Sequence, residues 1–225
     1  MVKSIRNVVS KSASVLLVLA ATASGLAALA MPATAATTVV CGNDSADRAV
    51  ATGRYVVVEV RSDRGRCPTT GNSAAFTLQP ITKGQTRLKV CGTRAERFVP
   101  STWFVTGNSS YDRPPCELGT MSLVIEPITR RGSAEVCGNT SADKAVNSGR
   151  YFVTRVSLDR GRCAVSGTQV AFTIEPLYAS HTRKTNVCGT NGGRWIPNGW
   201  VVTRSGRYDV PPCEFGTRQY DIQRL

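Results

Sequence analysis

From residue 38 onward the chain is written in short runs where apolar and polar side chains alternate, broken by Gly, Pro and Asp. This is the period-2 signature of half-buried β-strands. Three kinds of run recur four times each. The first leads into a cysteine at 38–40, 88–90, 134–136 and 185–187. The second spans 55–60, 103–106, 151–156 and 200–203, and the third 75–78, 123–125, 171–174 and 220–222. The second run always opens on an aromatic residue: Tyr55, Trp103, Tyr151 or Trp200. Val57, Val105, Val153 or Val202 follows two residues later, on the same strand face. In the third run Phe76, Leu123, Phe172 and Tyr220 are equivalent, as are Leu78, Ile125, Ile174 and Ile222. These positions are the predicted core. Pro80, Pro127 and Pro176 should end the ladder, because proline has no N–H to donate; the last copy has Arg224 there. Helical periodicity is weak. Segments 47–52 and 143–147 predict one helical turn each, with Ser45 and Ser141 as capping residues.

The cysteines repeat with the strands. Cys41, Cys67, Cys91 and Cys116 recur as Cys137, Cys163, Cys188 and Cys213, at shifts of 96, 96, 97 and 97 residues. The extra residue is placed in the 178–186 connection. The chain is thus two homologous halves, each an A-type unit followed by a B-type unit. Eight cysteines form an even set, which in a secreted chain reads as four disulfides. The simplest pairing joins the two cysteines of each unit. Each bridge would close a loop of about 25 residues, worth about 3 kcal/mol in the chain-entropy model, and units of this size need such staples. With no C-x-x-C pair and a single histidine, the cysteines do not read as a metal site. The fold class is all-β: two disulfide-stapled lobes, residues 36–131 and 132–225, each of two pseudo-repeated three-stranded units in a β-sandwich or small barrel-like arrangement.

Residues 1–35 read as a signal peptide, with Lys3, Arg6 and Lys11 ahead of an apolar stretch and Ala33-Thr34-Ala35 as the cleavage site. The apolar run breaks at Met31-Pro32, and no later segment is apolar enough to span a membrane. Localisation is therefore read as secreted and extracellular. The formal net charge of +13 falls to +10 without the three basic residues of the leader. Such a chain suits acidic partners. Its basic residues are spread through all four units with no long run, and no nucleic acid is expected as a partner.

The chemistry-bearing residues are few. His181, the sole histidine, lies in a connector, and its counterpart in the first half is not a histidine. A triad needs a positioned imidazole. Asp63/Asp159, Asp112/Asp209, Glu117/Glu214 and Glu126/Glu175 appear in both halves, which reads as turns and strand-end links more than as a glycosidase pair. No phosphate loop, dinucleotide fingerprint or metal motif is present. No catalytic residue, metal ligand or cofactor is assigned, and the chain is read as non-enzymatic. Trp103, Trp195 and Trp200 could stack on sugars, but each stands where other copies keep an aromatic, which reads first as core. The candidate partner-binding residues are basic: Arg64 and Arg66 beside Cys67, Arg160 and Arg162 beside Cys163, and Arg204 and Arg207 in a segment, 203–207, read as a loop. Arginine is enriched at interface hot spots. Val39 and Val40 join them, as a strand that could add to a partner sheet. A second reading makes Arg66 or Arg162 the specificity residue of an inhibitor of trypsin-like proteases, although cysteine follows the arginine rather than preceding it. A third is a cell-wall or carbohydrate-binding module.

The segment from Cys188 to Ile222, with Ile196-Pro197-Asn198-Gly199-Trp200-Val201-Val202 between Cys188 and Cys213, resembles a cysteine-bounded β repeat of uncharacterised secreted bacterial proteins. Cys91 to Ile125 departs from it in lacking the Gly before Trp103, and the A-type units lack its Pro. That resemblance implies no activity. In layout the chain resembles the small β adaptor subunit of actinobacterial umbrella toxin particles. This second resemblance implies a protein-protein interaction role, as an adaptor or structural subunit binding other secreted or surface proteins with acidic patches.

Overall fold

Each predicted strand run becomes a strand. The computed structural model describes residues 36–67, 73–129, 132–165, 167 and 169–225. The proposed signal peptide, and Arg130-Arg131 where the two halves were divided, lie outside the described residues. The first half is β1 (Thr38–Cys41), α1 (Asn43–Ala51), β2 (Tyr55–Ser62), β3 (Ala74–Pro80), β4 (Leu88–Gly92), β5 (Trp103–Arg113) and β6 (Cys116–Pro127). The second repeats it as β7 (Ala134–Cys137), α2 (Gly138–Asn147), β8 (Tyr151–Leu158), β9 (Val170–Pro176), β10 (Arg183–Gly189), β11 (Trp200–Val210) and β12 (Cys213–Arg224). The strands form two six-stranded sheets, one per half. The first runs β1-β3-β2-β6-β4 with β5 also on β6; the second has the same neighbours, with β11 on β12. The pairing is antiparallel except where β2 meets β6 at Val60↔Cys116 and β8 meets β12 at Val156↔Cys213. Neither sheet closes into a barrel.

Prolines end the strands as expected, β3 at Pro80, β6 at Pro127 and β9 at Pro176. The Pro-Pro pairs occupy two-residue hairpin turns: Arg113 pairs with Cys116 and Val210 with Cys213, each across a cis X-Pro bond. The inserted residue of the second half is a β-bulge. Leu88 and Val90 pair with Ile125 and Leu123, whereas Lys184 and Val187 pair with their counterparts Ile222 and Tyr220. One more residue thus spans the same stretch of partner strand, and Asn186 absorbs it at φ 57°.

Two expectations are corrected. The single helical turns are full helices that begin earlier, at Asn43 and Gly138. Their buried positions, Ala46 and Val50, then Ser141, Ala142, Ala145 and Val146, have helical spacing, but small residues over two turns give a weak apolar stripe. The basic segment 203–207 is not a loop but the middle of β11. Its side chains are exposed on both faces, so no alternation marks it as a strand.

All eight cysteines are paired within their units: Cys41–Cys67, Cys91–Cys116, Cys137–Cys163 and Cys188–Cys213, with Cα atoms 5.3–5.5 Å apart. Four disulfides suit an oxidising compartment, and among the described residues no helix is long and apolar enough to cross a membrane. Trp103, Trp195 and Trp200 are buried. The core does not stop at the half boundary. Val56, Trp103, Met121 and Ile125 share one cluster with Cys137, Cys163 and Ala171 of the second half, and Phe104 and Ile128 join Ala142, Tyr151 and Phe172 in another. The described residues accordingly form one compact unit.

The Cys-Gly-Thr sequence that opens each B-type unit has a steric cause. A Cβ on Gly92 would lie 2.6 Å from Leu123 Cδ1 and 2.8 Å from the Arg97 carbonyl; one on Gly189 would lie 2.8 Å from the Arg194 carbonyl. Gly92→Ala is expected to destabilise the protein by about 1–3 kcal/mol through overpacking. Gly65→Ala, whose Cβ meets only Asp63 Oδ1 at 3.6 Å, is expected to change stability by less than about 0.5 kcal/mol. Denaturant unfolding of the two variants checks this.

Candidate interaction site

The first half grips the second through the outer edge of β5. A strand edge carries unpaired N–H and C=O groups that must find partners when buried. The Val105 N–H donates to Ser141 Oγ on α2 (2.7 Å), and the Asn108 N–H donates to the Arg162 carbonyl (2.8 Å). The Asn108 side chain accepts from the Val165 N–H (2.8 Å), and Asn108 bridges to Cys163 in parallel. Phe104 fills the hollow behind them. It is fully buried, packs edge-on against Tyr151 at 6.2 Å between ring centroids, and Tyr151 donates its hydroxyl to the Ile128 carbonyl (3.0 Å).

Glu96, in the turn after β4, completes the grip. Its backbone is in the left-handed region (φ 59°) and its side chain is buried. Ser141 Oγ donates to its Oε1 (2.6 Å), and Lys144 Nζ sits 2.9 Å from its Oε2. Burial raises the Glu96 carboxyl above its ordinary range, against the attraction of Lys144 and the hydrogen bond from Ser141. The other side of each helix is held within its own half. The Arg97 guanidinium pairs with Asp47 of α1, and that of Arg194 with Asp143 of α2, where the Trp195 indole also donates (3.0 Å).

Because the halves are copies, this junction has two counterparts, and among the described residues neither is covered as β5 is. The first six residues of β5 are buried, but in β11 only Trp200 is. Val201 and Val202 are 40% and 41% exposed, where Phe104 and Val105 are 0% and 2%. Beside them a cleft of about 270 Å³ is lined by Arg204, Arg207, Asp221 and Asn186. At the other end, the groups with which α2, β7 and β8 cover β5 have open counterparts. Val136, Cys137, Ser141, Ala145 and Tyr151 are buried; Val40, Ser45, Ala49 and Tyr55 are half-buried and Cys41 is exposed.

The sequence-predicted residues divide accordingly. Arg204 and Arg207 lie on the bare β11 strand and make no ion pair among the described residues. Val39 and Val40 lie in β1, an edge strand of the first sheet, paired with Thr77 and Phe76. Arg64 and Arg66 are exposed in a tight turn closed by the Cys67 N–H to the Asp63 carbonyl (2.8 Å), and Arg66 N–H donates to Asp63 Oδ1 (3.0 Å). Arg160 sits in the equivalent turn, exposed. Arg162 is drawn into the junction: its carbonyl serves Asn108, and its guanidinium pairs with Glu135. Sequence reasoning did not single out Glu96, Phe104, Asn108 or Lys144, and it took Ser45 and Ser141 for helix caps, whereas both lie inside their helices, neither helix has a side-chain cap, and the Ser141 hydroxyl serves Val105 and Glu96. The signal for several of them was divergence between copies, since Gly193, Val201 and Ser205 replace Glu96, Phe104 and Asn108.

No family model, curated protein or solved structure matches the chain.

The junction makes two expectations measurable. Ser141→Ala strands both the Val105 N–H and a Glu96 oxygen, and is expected to cost about 1–3 kcal/mol; Ser45→Ala, on the open counterpart, is expected to cost less than about 0.5 kcal/mol. A carboxyl raised above 4.5 in the folded state favours folding fully below 4.5 and loses that contribution as pH rises through the raised value. The stability of the wild type relative to Glu96→Gln should therefore increase as pH is lowered from about neutral to 4.5, read as denaturant midpoints across that range.

Proposed function

We propose that the chain is a secreted, non-enzymatic interaction module that works as an adaptor in an extracellular assembly, as its layout resemblance to the adaptor of umbrella toxin particles implies. One observation carries this reading. β5 and β11 are copies of one strand; the second half covers β5, while β11 presents Val201, Val202, Arg204 and Arg207 to solvent. A long bare strand edge is a template for pairing, and two arginines on it favour an acidic partner. The strongly basic balance of the chain, +13 overall and +10 without the three basic residues of the leader, assists encounter with such a partner.

Geometry favours this over the protease-inhibitor reading. Arg66 and Arg162 lie in compact turns held by Asp63 and Asp159, not on extended segments, and Arg162 is engaged with Glu135 and Asn108. The carbohydrate reading loses its platform, because the three tryptophans are buried.

The test is affinity capture of the mature protein from its native secretome. An acidic protein is expected to co-purify, and Arg204→Glu/Arg207→Glu should reduce its recovery at least about tenfold, the scale of an interface hot spot. Arg64→Glu/Arg160→Glu, on the tight turns, should not. Recovery insensitive to the β11 changes, or a protein that elutes alone, would sink the proposal.

A further inference from the structure

The two bare ends are not equivalent, and the difference identifies what the amino-terminal end takes. On the occupied junction, α2 offers Ser141 and Lys144 to Glu96, while Ala142, Ala145 and Tyr151 form the hollow for Phe104. The first A-type unit keeps the whole set: Ser45, Arg48, Ala46, Ala49 and Tyr55 stand at the same positions. Ser45 and Arg48 bond to each other (3.3 Å), and among the described residues no carboxylate meets Arg48. A receiving surface is therefore present without its ligand.

The chain's own carboxy-terminal end does not supply that ligand. Glu96 is replaced by Gly193 and Phe104 by Val201. Gly107, whose Cβ position lies 3.5 Å from the Arg162 carbonyl, is replaced by Arg204. A Cβ there meets that carbonyl at ordinary contact distance, so what Arg204 adds is charge, brought beside the residue whose counterpart in the first A-type unit is Arg66. The carboxylate and the ring that grip are gone, and a cation stands in the contact, which is how an interface is closed to a wrong partner.

We infer that the open face of the first A-type unit, formed by Ser45, Arg48, Ala49, Tyr55 and Val40, is a socket for a β-hairpin of a second, different protein. That hairpin carries a glutamate and a phenylalanine eight positions apart, as Glu96 and Phe104 are. The glutamate bonds Ser45 and pairs with Arg48, the phenylalanine enters the hollow above Tyr55, and the strand edge donates an N–H to Ser45 Oγ. This deepens the adaptor reading, on which it rests: the chain has one end that takes an acidic partner through β11 and another that takes an acidic-aromatic strand.

The socket can be probed with the chain's own far end. Gly193→Glu/Val201→Phe/Arg204→Gly restores the carboxylate, the ring and the small residue of the gripping edge; the left-handed backbone at Gly193 (φ 77°) is one that Glu96 already adopts (φ 59°). The triple variant is expected to form head-to-tail oligomers that grow with concentration in size-exclusion chromatography with light scattering, while the wild type stays monomeric. Adding Arg48→Glu should raise the dissociation constant at least tenfold. The double variant Gly193→Glu/Arg204→Gly, which adds no large apolar side chain to the surface, gives the same reading if the triple variant fails to fold. A folded variant with four disulfides that remains monomeric overturns the socket, and so does oligomerisation unaffected by Arg48→Glu. A wild type that forms the same oligomers overturns the exclusion of its own end. Failure here leaves the β11 capture result standing, because that result depends on Arg204 and Arg207 and not on Ser45 and Arg48.

Discussion

Each half converges on the first residue of its longest strand. Cys116 begins β6 straight after the Pro114-Pro115 turn from β5, bonds to Cys91 on β4, and pairs in parallel with Val60 on β2. Beside it the Val60 N–H donates to the Pro115 carbonyl (2.9 Å). Cys213 repeats the arrangement with Cys188, Val156 and the Pro212 carbonyl (2.8 Å). One residue thus fixes where the B-type hairpin meets the A-type strands. The antiparallel pairs could form locally, but the parallel contact between β2 and β6 is long-range and slow to find unaided. A covalent bond at that point holds β4 and β6 together where β2 docks.

That constraint also decides which parts of the fold were legible in the sequence. Strand runs such as 55–60 and 171–174 were visible because one face lies against the core and the alternation of Val57, Phe172 and Ile174 records it. The outer arms of the hairpins were not. Residues 109–113 and 204–209 extend beyond the core and are exposed on both faces, so nothing in their pattern distinguishes a strand from a loop. The helices were underestimated for a related reason: Ala46, Ala142 and Ala145 bury little area each, and a stripe of small residues two turns long barely differs from a polar stretch.

The interaction site was legible in a different way. Positions alike in all four units, such as Tyr55, Trp103, Tyr151 and Trp200, report what every unit needs, which is its core. Positions that differ between the two halves report what only one copy does. Glu96 against Gly193 and Gly107 against Arg204 are such differences, and they lie where β5 is covered and β11 is not. Arg204 and Arg207 were found from charge alone. Glu96 and Ser141 were not, because a lone glutamate in a turn and a serine at a helix start are ordinary residues until the fold brings them within 2.6 Å of each other.

A repeat that docks one unit on the next carries the hazard of never stopping. A heterologous contact that does not close grows into a fibre, and solenoid proteins meet this with altered terminal repeats. Here the altered unit is the second B-type unit. Its strand edge keeps the length and the hairpin of β5, so it remains available for pairing, but Arg204 and Arg207 charge it and Gly193 removes the carboxylate that would clamp a serine and a cation. The first A-type unit shows no matching alteration: Ser45, Arg48 and Tyr55 keep the chemistry of the occupied socket. Blocking one end suffices to stop self-assembly, and the other end keeps a receiving surface that the chain's own β11 no longer matches. The asymmetry between the ends, more than any single residue, is therefore the physical argument for an adaptor with two different partners.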